Sequence, residues 1–120
     1  MGTPSASQPS AQVGVETNLH DLAQLLRQTE HLEPNAQLAL AKIVEELAQA
    51  LHSAPVPQGD LIPLARSTTE LVRALHQKHD TVLSAARDRL KRSILQVENQ
   101  APFVAQLAGR LLDTLGSSGI

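Results

Sequence analysis

The sequence predicts an all-α protein, a four-helix bundle-like arrangement in which a helical hairpin and a C-terminal helix pack on one long central helix. Three observations predict it. Leucine, alanine, isoleucine and valine supply nearly all the apolar character, and Phe103 is the only Phe, Tyr or Trp in 120 residues, whereas sheets draw heavily on aromatic and β-branched side chains. Leucines recur at spacings of three, four and seven, which puts them on one face of a helix. Glycine and proline fall at segment edges, and neither occurs between Pro63 and Pro102. With 42% apolar residues, a chain of this length supports one modest core, hence a single helical domain over 17–120.

Residues 1–16 are rich in Ser, Pro, Gln, Ala and Gly and hold nothing apolar at regular spacing before Val13 and Val15. They read as a disordered tail, because such a segment buries too little to offset its ordering entropy. The start of the chain lacks both a basic stretch and an apolar core of the secretory type, and no apolar run approaches the ~18 residues that span a bilayer. The expectation is a soluble, cytoplasmic protein.

The first helix is expected over about 18–30. Thr17 or Asn18 can cap it, Asp21 favours the positive end of the helix, and Leu19, Leu22, Leu25 and Leu26 form its stripe. After the turn His31-Leu32-Glu33, Pro34 suits a first helical position. A second helix over 34–53 then carries Leu38, Leu40, Ile43, Val44, Leu47 and Leu51. So short a linker makes the two an antiparallel hairpin. The connector Ala54-Pro55-Val56-Pro57 stops any helix, and Asp60 is placed to cap the next.

That next segment, 61–98, is the predicted central helix, with Leu61, Leu64, Leu71, Leu75, Val82, Leu83, Leu90, Ile94 and Val97 at helical spacing. Unbroken, it would run on the order of 55 Å. Its weakest point is Gln77 to Thr81, where the stripe turns polar and Asp80 could start a second segment; a kink there is expected to leave the topology unchanged. Pro102 opens the last helix, over about 102–115, with an apolar face of Phe103, Val104, Leu107, Ala108, Leu111, Leu112 and Leu115. Gly116 is placed to end it in the left-handed conformation, and Ile120 is positioned to fold back on the core or to meet a partner.

The net charge of −2 conceals an asymmetry. Residues 1–60 hold two Lys/Arg against seven Asp/Glu, a balance of −5, and residues 61–120 hold eight against five, a balance of +3. The expectation is an acidic hairpin lying on a more basic partner helix, with opposite charges fixing the register.

Two stretches carry a family resemblance. In Leu22 to Leu51, leucines lead into Glu30-His31-Leu32-Glu33-Pro34 and then a second leucine helix. In Val97 to Ile120, a short acidic stretch precedes a proline, an amphipathic helix follows, and Gly-Ile comes last. Together they resemble a family of short bacterial leucine-rich helical proteins catalogued only as a domain of unknown function. Where that family has Asp before the first proline this chain has Glu33, where it has His before the second this chain has Ala101, and Leu61 to Leu90 is longer. The resemblance implies bacterial origin and a helical bundle, and supplies no activity.

Little in the chain points to catalysis. There is no cysteine, which excludes thiolate chemistry and disulfides. No Gly-x-Ser-x-Gly elbow or glycine-rich phosphate loop is present. His76 and His79, beside Asp80, are spaced to share a metal on one helix face, but a stable site needs a third ligand and the Glu-x-x-His repeat of di-iron bundles is absent. Neither metal nor cofactor is expected, and the protein reads as no enzyme. Arg87, Arg89, Lys91 and Arg92 form a basic cluster able to meet phosphate. Nucleic acid is not the expected partner, since stacking aromatics and recognition motifs are missing. Nor is a membrane surface, since Phe103 is the lone aromatic anchor.

The function read from the chain is therefore a helical protein–protein interaction or self-association module. A long helix flanked by shorter ones leaves apolar positions uncovered, so a homodimer or a helical protein partner is expected, coiled-coil-like, at Leu83, Leu90 and Ile94. The alternative is a phosphate- or lipid-surface-binding protein using Arg87, Arg89, Lys91 and Arg92.

Overall fold

A computed structural model describes residues 11–117 of the chain. These form five helices: α1 (Ala11–Arg27), α2 (Pro34–Ser53), α3 (Gln58–Gln77), α4 (Asp80–Val97) and α5 (Pro102–Ser117). The all-α reading holds, with no strand among the described residues. Of the disordered tail expected over residues 1–16, the first ten lie outside the described part of the chain, as does the predicted docking of Ile120, but residues 11–16 are helical: α1 runs from Ala11 rather than from the expected Thr17 or Asn18 cap.

The main departure is in the centre. The expected helix over 61–98 is two helices that reverse direction at Lys78 and His79. Lys78 takes the left-handed conformation, φ 60°, and is the one non-glycine residue with positive φ among those described. Its N–H donates to the Leu75 carbonyl and that of His79 to the Ala74 carbonyl, each at 3.2 Å, the paired bonds of a Schellman turn. Asp80 is the first residue of α4, and His79, in extended geometry, is its cap. The topology therefore does change: Ser67 meets Ser93 and Glu70 meets Arg89 across an antiparallel α3–α4 hairpin.

Burial explains the reversal. An unbroken helix of ~55 Å would exceed the longest extent of the molecule, 43 Å, and would leave half its stripe in water. Folding back instead packs Leu71 and Leu75 of α3 and Leu83 and Leu90 of α4 into one core. Because His76 to Asp80 carries no apolar side chain, turning there exposes nothing that was worth burying.

Each helix packs mainly on two others, and the pairs close a ring in the order α1, α2, α5, α4, α3 and back to α1. The ring is flat, 23 Å through its short dimension, about two helix diameters. Its interior is leucine and alanine, with Leu19, Leu26, Leu40, Leu47, Leu64, Leu71, Leu90 and Leu111 fully enclosed. Val82, Leu38 and Phe103, expected on buried stripes, are instead exposed. The remaining boundaries are also revised in part. Helix α3 begins three residues before Leu61 with Pro57 at its cap, leaving Asp60 in the first turn, and α5 runs on to Ser117 with no left-handed Gly116.

Charge pairs run both within the halves and between them. Of the arginine–carboxylate pairs between described residues, Arg27–Glu45 lies inside the first half and Glu70–Arg89 inside the second, while Glu46–Arg110, at 3.9 Å, joins the two. The Arg27 guanidinium grips Glu45 with two nitrogens, each at 3.0 Å. That hydrogen bond holds the Glu45 carboxyl below its usual range and raises Arg27 in turn.

Candidate functional site

Three places on the ring gather polar or exposed apolar side chains. The first is the seam between α3 and α4. Successive helical residues turn by about 100°, so the basic cluster of α4 divides along two flanks. Arg89 and Arg92 line a groove of about 300 Å³ with Arg66, Glu70 and Gln96, between Ile62 and Pro63 at one end and the buried Ser67 and Ser93 beneath. Arg87 and Lys91 lie on the other flank and take no part in that groove. Arg89 reaches Glu70 at 3.1 Å. On the floor, the Ser67 and Ser93 hydroxyls are 2.9 Å apart, and Ser93 also lies 3.5 Å from the Pro63 carbonyl.

Arg66 was invisible as a member of this group because it stands 23 positions from Arg89. The signal that would have found it is the reversal itself: once α3 and α4 pair Ser67 with Ser93, Arg66 and Arg92 must face the same groove.

The second place is the shallow groove between the C-terminal half of α2 and the start of α5. It holds about 570 Å³ and is lined by Ala50, Ala54, Pro55, Phe103, Val104 and Leu107 together with the polar Gln49, Ser53 and Gln100. Phe103 is 63% exposed, and Glu46 and Arg110 span the rim. Two short connectors build it, since Pro55 ends α2 and Pro102 starts α5 at neighbouring points.

The third is a polar cluster where the α1–α2 turn meets the end of α3. Thr29, 1% exposed, donates its hydroxyl to the Leu25 carbonyl at 2.8 Å and lies 3.0 Å from His76 Nδ1. A hydroxyl has one hydrogen and a carbonyl can only accept, so with the Thr29 hydrogen on the Leu25 carbonyl the network suits the His76 tautomer that donates from Nδ1. Gln37 donates to the Thr29 carbonyl, and His31 Nε2 approaches the His76 carbonyl at 3.4 Å. His76 thereby joins two hairpins. It does not share a helix face with His79, which caps the following helix, and no three His, Cys, Asp or Glu residues are grouped to hold a metal among the described residues.

The expected interface between copies is corrected. Leu83 is 8% exposed and Leu90 0%, both inside the chain's own core, and Ile94 packs against that core from its edge. The reason is again the reversal, which covers α4 with α3 on one side and α5 on the other. No helix among the described residues is long and apolar enough to cross a membrane.

Compared with known proteins, the chain matches no family model, no curated sequence and no solved structure.

Proposed function

We propose that this chain is a non-enzymatic helical interaction module that associates with a second copy of itself through the α2–α5 groove. The observation that carries the reading is the position of Phe103. The largest apolar side chain in the protein stands 63% exposed on the wall of a hollow of about 570 Å³, where Ala50, Ala54, Pro55, Val104 and Leu107 alternate with polar side chains. A two-fold dimer needs one patch that complements itself, so that residue i of one copy meets residue j of the other and the reverse. A knob adjoining a hollow satisfies that requirement: rotated by half a turn, each Phe103 enters the hollow of its partner. Burying a phenylalanine side chain contributes about 1.5–3 kcal/mol, and a two-fold contact does so twice.

Light scattering over a concentration series tests this. The mass is expected to rise from monomer to dimer and to do so equally at low and high salt, because the contact is apolar. Phe103→Asp is expected to hold the chain as a monomer whose melting temperature matches that of the natural chain at dilutions where both are monomeric, since the side chain is outside the core of a single copy. A monomer at every concentration overturns the proposal.

A further inference from the structure

We propose that the groove between α3 and α4 is a binding site for a phosphate group, held by Arg66, Arg89 and Arg92. This inference is independent of the self-association proposed above, which uses the groove between α2 and α5, a different set of side chains.

The groove collects charge against the sign of the whole chain. The protein carries −2, yet three guanidiniums and a single carboxylate line this groove, a local balance of +2. At physiological salt, charges more than ~8 Å away are largely screened, so an anion entering here meets the local charge and not the global one. Only one of the three arginines is neutralised. Arg89 is paired with Glu70 at 3.1 Å, whereas Arg66 and Arg92 have no ion-pair partner among the described residues. Guanidinium groups keep their charge at all ordinary pH, so their mutual repulsion cannot be relieved by losing a proton. An anion between them relieves it.

The donor set suits a tetrahedral oxyanion. Arginine offers paired N–H groups in a planar fork that matches two phosphate oxygens at once. Forks approaching from α3 and from α4 can engage different edges of one phosphate, and Gln96 adds an amide at the rim. The floor is polar as well. Ser67 and Ser93 bond to one another beneath the arginines, and with Ser93 donating to Ser67 rather than to the more distant Pro63 carbonyl, the Ser67 hydroxyl keeps its own hydrogen to aim into the groove. The space of about 300 Å³ accommodates a phosphate group.

Glu70 sets the strength of the site. It competes with the ligand for Arg89, so the phosphate must displace a carboxylate to use the third fork. Removing that competitor should improve binding, and a gain cannot come from misfolding.

The test is a titration of the full chain with inorganic phosphate, read by calorimetry and by phosphorus NMR line broadening, with chloride matching the ionic strength. Saturable binding is expected. Arg66→Gln and Arg92→Gln should each weaken it about tenfold, the loss of one charge-assisted pair, while Lys91→Gln on the far flank changes it less than about twofold. Glu70→Gln should tighten it several-fold. Phosphatidylcholine vesicles doped with phosphatidic acid separate the two sources of the group: if vesicles bind with the same dependence on Arg66 the phosphate is a lipid headgroup, and if only inorganic phosphate does, it is a soluble one. Absence of saturable phosphate binding overturns the proposal. So does an equal loss in Lys91→Gln and Arg66→Gln, which would mean diffuse attraction to a basic helix.

Discussion

The α1–α2 and α3–α4 hairpins are each two antiparallel helices joined by a short turn, yet they are held together differently. The first turns over residues 28–33, and its turn is closed by side chains: Thr29 is buried and bonded to Leu25 and His76, and Gln37 reaches back to the Thr29 carbonyl. Its seam is leucine and alanine, and α2 buries apolar residues from Ala36 to Leu51 along its whole length. The second turns over just Lys78 and His79 and is closed by backbone bonds alone. Its seam holds a serine pair, and α4 buries Leu83, Ala86, Leu90, Ser93 and Val97 while presenting the rest to solvent. One hairpin is thus shaped for burial on both sides, and the other keeps a polar flank. That difference places the polar groove on α3–α4, although both hairpins contribute leucines to the core.

Core truncation should break the comparison most severely. Leu47→Ala and Leu90→Ala each remove a side chain with 0% exposure, and each is expected to cost about 2–5 kcal/mol in urea unfolding. The loss for Leu90→Ala should be the same at every protein concentration. A loss that shrank on dilution would return Leu90 to an interface between copies.

Next in size is the side-chain closure of the first turn. Thr29→Val keeps the shape but removes the hydroxyl that accepts from His76 and serves the Leu25 carbonyl, and should lower stability by about 1–3 kcal/mol. His76→Phe in that background should then cost less than it does in the natural chain, a coupling that a double-mutant cycle measures directly.

The second turn responds in the opposite direction. Lys78 holds φ 60°, a conformation that costs a side-chain-bearing residue roughly 1–2 kcal/mol and glycine far less. Lys78→Gly should therefore raise stability by up to about 1 kcal/mol in thermal unfolding, even though glycine adds freedom to the unfolded chain. A loss would mean that the lysine side chain contributes more than its backbone strain takes away.

Smallest is the exposed ion pair on the first hairpin. Since Arg27 holds the Glu45 carboxyl below its ordinary value, the pair stabilises the fold above the unfolded pKa of Glu45. That contribution is lost as pH falls through the lowered folded value. The stability difference between the natural chain and Arg27→Ala should accordingly be present at neutral pH, vanish in acid, and shrink with added salt. A difference that persisted undiminished into acid would attribute it to packing of the Arg27 stem.

What the sequence announced, and what it hid, follows the same division. Pro34 and Pro102 mark helix starts by geometry that neighbours cannot override, and both α2 and α5 begin there. The reversal at Lys78 carries no such mark. A left-handed C-terminal residue is expected to be glycine or asparagine, and here the lysine occupies it while Gly116, which has the right chemistry, stays helical. Tertiary burial of Leu71, Leu75, Leu83 and Leu90 outweighs local preference at the reversal. The candidate sites inherit this. Arg89 and Arg92 were legible as neighbours in sequence, but their separation from Arg87 and Lys91, and their union with Arg66, depend on a fold-back that spacing alone does not reveal. Phe103 falls on the apolar stripe of α5 yet is exposed, because helical periodicity cannot tell which edge of a stripe has a neighbour.

The closed order of the ring also bears on how the chain acquires its shape. Both hairpins are made of neighbours in sequence, with low loop-closure cost, so each can form as soon as its second helix is available. Helix α5 is different: its partners are α4, just before it, and α2, which ends at Ser53, almost fifty residues earlier. It is also the last of the five to leave the ribosome. Until it does, the apolar flank of α2 that faces it stays open to water, and the nascent protein is a pair of hairpins joined along α1 and α3. Translation through Pro102 to Leu115 turns that open pair into a closed ring, making the last helix the latch of the folding sequence.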